Sequence, residues 1–335
     1  MELRTDLREC LRRSRDWAAA IDEVERGIER LEDPAERSHK LFELGAVAEE
    51  VSPERDRALS MYQRAWKAHP QNLAALSRAR QLYREMGRME MVAKLGEIEV
   101  QSLVQTNGED ALATPNGAAL AGIVGEALLD CGQGERARPL LQHSLQHDPD
   151  STRIRDALAA LSYDPEDWFD DVERLSSEAD KADSSTAARM LLRAARILRL
   201  ETSGEEALGQ YEMLLKRVLQ NDPHSESGNF LYESLLGGQQ RWEELEQHHD
   251  GRAYALADES AQAAMYLALA FAWIQRFKDR ERGARYFLQS ISAAVQSPGV
   301  QLRSVVAAFA LMREVYGSRP GDQGQNQFLQ LADAA

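Results

Sequence analysis

Between residues 52 and 72 the chain reads Ser-Pro-Glu-Arg-Asp-Arg-Ala-Leu-Ser-Met-Tyr-Gln-Arg-Ala-Trp-Lys-Ala-His-Pro-Gln-Asn. Ala58, Tyr62 and Ala65 fall at i, i+4 and i+7, the spacing that puts side chains on one face of a helix. Ser52, Pro53 and Glu54 provide an N-cap, a first-turn proline and an acid near the positive helix end. Lys67 and His69 sit where last-turn carbonyls favour cations, and Pro70 ends the helix. The same shape recurs as Ala137, Leu141, Ser144 and Pro149, and again as Ala207, Tyr211, Leu214 and Pro223. This predicts a repeated helix, the second member of a hairpin.

The remaining chain falls into register around it. Trp17, Ile21, Val24 and Ile28 make an apolar stripe, and a break near Ser14 separates this helix from an earlier one. Asp33-Pro34-Ala35-Glu36 resembles a capping box. It opens a helix with Leu41, Leu44, Val47 and Ala48 inward and Gly45 where a neighbour must approach closely. Further helices are predicted at 72–86, 89–104, 114–129, 136–146, 152–161, from 164, 184–200, 204–219, 229–236, from 241, 260–276, 280–295 and 301–316. Residues 105–110 read as a loop. The segment 318–335 is Gly- and Gln-rich, with Phe328-Leu-Gln-Leu-Ala as one possible last turn of helix. No strand-like alternation of Val, Ile and Thr occurs, and the prolines read as lying between helical patterns.

A longer period governs these helices. Trp17, Met89, Trp168 and Trp242 each follow a charged residue and open an amphipathic stretch, at spacings of 72, 79 and 74. Pro70, Pro149, Pro223 and Pro298 are spaced 79, 74 and 75 apart. Two independent markers with one period of about 75 residues imply a four-helix unit, a double hairpin. The expected divisions are 1–70, 71–149, 150–223, 224–298 and a partial unit 299–317, followed by a polar tail over 318–335.

Composition agrees with thin, stacked helical layers. The 335 residues are 43% apolar but only 7% aromatic, which suits two-layer packing better than one large core. The net charge of −15 argues against nucleic acid as a partner, because phosphate binding needs a basic face. Only six lysines accompany the arginines, a bias that a GC-rich bacterial genome produces. Cys10 and Cys131 are too few for a disulfide framework or thiol metal site. The first residues lack the apolar region of a signal peptide, and the longest apolar run, near 261–274, is short and interrupted. A cytoplasmic chain without membrane insertion is the expectation.

Leu44-Gly45 followed by Ala58, Tyr62, Ala65 and Pro70 resembles the tetratricopeptide repeat family. Gly125, Gly132, Ala137, Leu141 and Pro149 carry the pattern again. Ala194, Ala195, Ala207 and Tyr211 carry it more loosely, with Pro223 a turn late, while Val92, Gly96 and Glu99 depart from it. The resemblance spans nearly the whole chain and is strongest over 38–72 and 118–150. It implies an all-α, right-handed solenoid of stacked antiparallel hairpins, about 18 helices in all. First helices would line the concave face, and such proteins are mostly binding scaffolds. The family's chaperone-binding lysine and asparagine clamp has no counterpart at His39, Phe42, Ala46 and Glu49.

Signals for chemistry are sparse. His143 and His147 have metal-ligand spacing, but Ser144 follows where a zinc protease needs glutamate, so a last-turn pair is the simpler reading. His248 and His249 point about 100° apart on a helix. Gly132-Gln-Gly134 lacks the strand and Lys-Ser/Thr of a phosphate loop. Cys131 has no neighbouring base to activate it. No metal, cofactor or catalytic residue is expected, and an enzyme is the remote alternative.

One constellation stands apart. Arg189, Arg193, Arg196 and Arg199 recur down one helix, and Arg189, Arg196 and Arg199 are expected to face the groove and hold an acidic partner segment. Neutralisation by Glu178, Glu205 and Glu206 is the competing reading. Phe42, Glu49 and Arg84 are the other candidate partner-binding residues, in a groove made acidic by Glu49, Glu50, Glu85 and Glu126. The expected function is a protein–protein interaction scaffold or adaptor. A structural subunit that associates with itself or with larger neighbours through its ends is the alternative.

Overall fold

The computed structural model describes residues 17–51, 55–202 and 205–296. Among these, every regular element is helical. The expected helix over 301–316, the tail beyond it, the first helix before Ser14, the partial unit 299–317 and the Ser52-Pro53 cap lie outside the described residues. The chain divides into two compact units. One comprises Met1–Arg88 with His249–Ala335, and the other Met89–His248.

The first unit opens with α1 (Trp17–Ile28), α2 (Pro34–Val51), α3 (Arg55–Ala68) and α4 (Leu73–Glu85). Local chemistry sets their starts. Asp33 accepts from the Ala35 N–H at 3.0 Å, and Asn72 accepts from the Ala75 N–H at 3.2 Å, each satisfying a donor that the first helical turn leaves open. Ala58, Tyr62 and Ala65 are fully buried together, as their spacing predicts. A Cβ at Gly45 would lie 2.7 Å from Tyr62 Cε1, so the α2–α3 hairpin closes only because residue 45 has no side chain. The chain's later segment adds α14 (Glu259–Gln275) and α15 (Arg280–Gln296), an extensively packed pair, to this unit. Trp273, Tyr286 and Phe287 fill their interface, and buried His249 meets Trp273 and Tyr286 edge-on.

The second unit runs through α5 (Met89–Asn107), α6 (Pro115–Asp130), α7 (Gly134–His147), α8 (Thr152–Ala159), α9 (Trp168–Ala179), α10 (Ser184–Glu201), α11 (Glu205–Asn221) and α12 (Glu226–Gly238). Helix α13 (Trp242–Tyr254) carries the division between His248 and His249. Thr114 caps α6 through the Gly117 N–H at 3.1 Å, with Pro115 in the first turn. Helix α6 is the most enclosed, packed against α5, α7 and α8. A Cβ at Gly125 would come within 2.8 Å of Leu141 on α7, and one at Gly122 within 2.9 Å of Ile154 on α8.

Several boundaries differ from the sequence expectation. Helix α5 continues to Asn107 and a one-turn 3-10 helix at Glu109–Ala111 follows, so only part of 105–110 is loop. Helix α12 begins before residue 229 because Ser225, accepting from the Gly228 N–H at 3.2 Å, supplies an earlier cap. Pro139 lies inside α7 rather than between helices. Its missing N–H would serve only the Glu135 carbonyl near the start of the helix, and its exposed ring meets solvent. No helix among the described residues is long and apolar enough to cross a membrane.

Candidate functional site

In the second unit, polar side chains link α6, α8, α10 and α12 to one another. Arg153 of α8 pairs with Glu126 of α6 at 2.6 Å. Arg189 of α10 pairs with Asp156 of α8 at 3.0 Å, off the axis of a hydrogen bond. Arg196 reaches further. Its Nε donates to Asp130 Oδ1 of α6 at 3.0 Å and its Nη2 donates to Ser227 Oγ of α12 at 3.0 Å.

Direction is consistent along this row. The acid lies on the earlier helix and the arginine on a later one. In the first unit Glu49 of α2 likewise receives Arg78 of α4, Nε to Oε2 at 3.0 Å. Other pairs repeat the rule. Arg64 of α3 meets Glu25 of α1, Arg136 of α7 meets Glu97 of α5, and Arg241 grips Glu212 of α11 through two bonds of 2.7 and 2.8 Å. These pairs lie 27 to 39 residues apart, the length of one hairpin, except that Arg196 and Asp130 are 66 apart. An acid and an arginine about 30 to 40 residues apart are therefore a sequence signal of ion pairs between helices, a signal that helix-by-helix reading passes over.

The links differ in weight. Arg153 and Arg189 are about half exposed, and pairs of that kind contribute roughly 0–1 kcal/mol each. Arg196 and Asp130 are only 4% and 6% exposed. Burial disfavours the Arg196 charge, but Asp130, Glu126 and the Asp130 hydrogen bond outweigh it and hold the guanidinium above its ordinary range. Arg196 is thus an interior cross-link rather than a groove residue, which corrects the expectation from its helical spacing. Glu178 pairs with Arg174 instead of the stripe, and the side chains of Glu205 and Glu206 lie outside the described residues.

Arg199 is half-buried and donates to the Tyr211 hydroxyl at 3.4 Å. Arg193 is half-buried with its Nε enclosed and unbonded. Among the described residues, neither meets a carboxylate within ion-pair range. Cys131, at the end of α6, is a free thiol that burial pushes up to about 11 against the pull of Arg199, which leaves it a poor nucleophile. The His143 and His147 rings lie 4.7 Å apart, yet no cluster of three metal-ligating side chains occurs among the described residues.

The other candidates fall in the first unit. The Phe42 ring sits 5.6 Å from that of Tyr62. Glu49 is a hub, accepting from Arg55 at 2.9 Å, the Tyr62 hydroxyl at 2.9 Å and Arg78. Burial raises its pKa, but the Arg78 hydrogen bond, the Arg55 charge and the Tyr62 hydroxyl together bring it below the ordinary carboxylate range. Glu85 joins Arg78 at 3.1 Å and Arg55 at 3.4 Å, and Arg84 lies half-buried beside it. The acidic groove expected here is consequently a neutralised network, and Glu126 is likewise paired. Glu50's side chain lies outside the described residues. Arg189, Arg196 and Arg199 share one helix of the second unit, whereas Phe42, Glu49 and Arg84 belong to the first.

No protein-family model matches this chain, and no curated protein sequence matches it.

Proposed function

We propose that the chain is a protein-binding scaffold, a right-handed helical solenoid of tetratricopeptide type that holds a partner segment on the face built from the first helices of its hairpins. The observation that carries this reading is the lateral linking of α6, α8, α10 and α12 through Glu126–Arg153, Asp156–Arg189 and Asp130–Arg196–Ser227. Such links fix neighbouring first helices in register, so that equivalent positions form one extended row. Ile123 stands one turn before Glu126, and Leu192 stands between Arg189 and Arg196, so both share that row and both are only partly buried. A row of partly exposed aliphatic side chains flanked by guanidinium groups suits a peptide segment with acidic and apolar residues.

The test is a cross-linked pull-down with the full chain and with Arg189→Glu plus Arg199→Glu, positions that leave the buried Arg196 pair intact. Binding is expected to weaken at least tenfold in the double variant. A partner captured equally by both proteins refutes the arginine-bearing face as the site. Recovery of the chain alone, with a scattering mass that rises with concentration, replaces the scaffold by a self-stacking subunit.

A further inference from the structure

The first unit is built from two stretches of chain separated by the whole of residues 89–248. Among the described residues, no extensive helix-on-helix packing joins α14 or α15 to α1–α4. Two side-chain contacts join them among the described residues. The Arg55 guanidinium lies over the Phe271 ring, 4.1 Å from its centroid. Gly87, which ends α4 with φ of +66°, lies under the Arg276 side chain, where a Cβ would come 2.7 Å from Arg276 Cδ and 2.8 Å from its Nε and Nη1.

Both contacts are chemically specific. Arg55 gives its edge to Glu49 at 2.9 Å and Glu85 at 3.4 Å, which leaves the flat face of the guanidinium for an aromatic ring. Phe271 supplies that ring while packing its other side edge-on against Phe287, 5.2 Å away. At the second point the bare backbone of Gly87 admits the Arg276 stem, and any larger residue there would meet both the positive φ and that stem.

We propose that these two contacts form a clasp by which α14 occupies, in cis, the network of Glu49, Arg55 and Glu85. A contact made by side-chain tips opens without dismantling either helical pair, so the clasp is a two-state element. On the reading of the chain as a scaffold, a partner that reaches Glu49 or Arg84 competes with α14 and meets a surface suited to an aromatic side chain one helical turn or so before an arginine, as Phe271 precedes Arg276. The clasp is then an autoinhibitory contact.

The clasp is tested without any partner, so its failure is separate from failure of the scaffold reading. Spin labels are placed at the exposed positions Ala74→Cys on α4 and Ala268→Cys on α14, in the full chain with Cys10 and Cys131 replaced by alanine. Pulsed dipolar spectroscopy is expected to give one narrow distance distribution. Phe271→Leu keeps apolar bulk against Phe287 but removes the ring, and Gly87→Ala leaves Glu49, Arg55 and Glu85 unchanged while displacing Arg276. Each is expected to broaden the distribution toward longer distances, with the helical circular dichroism unchanged. A broad distribution in the parent chain overturns the clasp, and so does a narrow one that survives in either variant.

Discussion

Removing the Asp130 carboxylate is expected to destabilise the second unit more than removing that of Glu126 or Asp156. Asp130 and Arg196 are 6% and 4% exposed, so Asp130→Ala leaves a guanidinium in the interior that water cannot reach. Breaking a buried pair from one side costs about 3–5 kcal/mol. Ser227 still accepts from Arg196 at 3.0 Å and Glu126 still contributes charge, which places the expected loss near the lower end, about 3 kcal/mol or roughly a hundredfold in the folding equilibrium. Replacing both partners by apolar residues of similar volume, Asp130→Leu with Arg196→Met, removes the stranded charge and is expected to fall within about 1 kcal/mol of the parent. The assay is urea unfolding at pH 7 followed by far-ultraviolet circular dichroism. Amide exchange over α6 and α10 accompanies it, because long helical repeats lose two-state cooperativity. The single-variant loss is expected to change little between low and high salt, since a buried pair is poorly screened. A loss below about 1 kcal/mol for Asp130→Ala, or a double variant as costly as the two singles added, would refute the assignment of this pair as an interior cross-link.

Two further outcomes follow from the Glu212 ion pairs and from the packing at Gly45. Arg241 and Lys216 hold the Glu212 carboxyl well below its ordinary 4.5, at about 2. A depressed folded-state pKa contributes stability that is complete above the unfolded value and is lost as pH falls through the folded one. The urea midpoint should therefore drop between about pH 4.5 and pH 2, and Glu212→Gln should make that drop shallower; an unchanged slope contradicts the pairing. Gly45→Ala gains up to about 1 kcal/mol in helix propensity but drives a methyl into the Tyr62 ring, which is buried and anchored to Glu49. Overpacking of that kind costs about 1–3 kcal/mol, so a net loss in thermal midpoint is expected, and a gain would show that the α2–α3 hairpin has room.

Much of the architecture was legible because it is local. The buried face of α3 follows from the spacing of Ala58, Tyr62 and Ala65, and the starts of α4 and α6 follow from Asn72, Thr114 and Pro115, all of which act within one or two helical turns. Gly45 was readable as a close approach, although its partner was not. The recurrence near 75 residues leads to the expectation of a double hairpin, because a hairpin buries its stripe against the next. The errors were local too. Pro139 was misplaced because a proline near a helix start loses little, and residues 105–110 hid a 3-10 turn.

What tertiary structure alone decided is which faces are interior and which charges are neutralised. Helical spacing puts Arg189, Arg193, Arg196 and Arg199 along one side of α10 but says nothing of what stands opposite. Asp130, 66 residues earlier, turns Arg196 into a core residue, Asp156 neutralises Arg189, and Arg193 meets no carboxylate among the described residues. The same applies to the first unit. Nothing near Arg55 or Gly87 in sequence announces Phe271 and Arg276, since chain closure over so many residues depends on the geometry of every helix between them. Periodicity and capping are properties of a few consecutive residues and so are written in the sequence. Burial and ion pairing between helices depend on how the helices stack, and that is settled only when the chain folds.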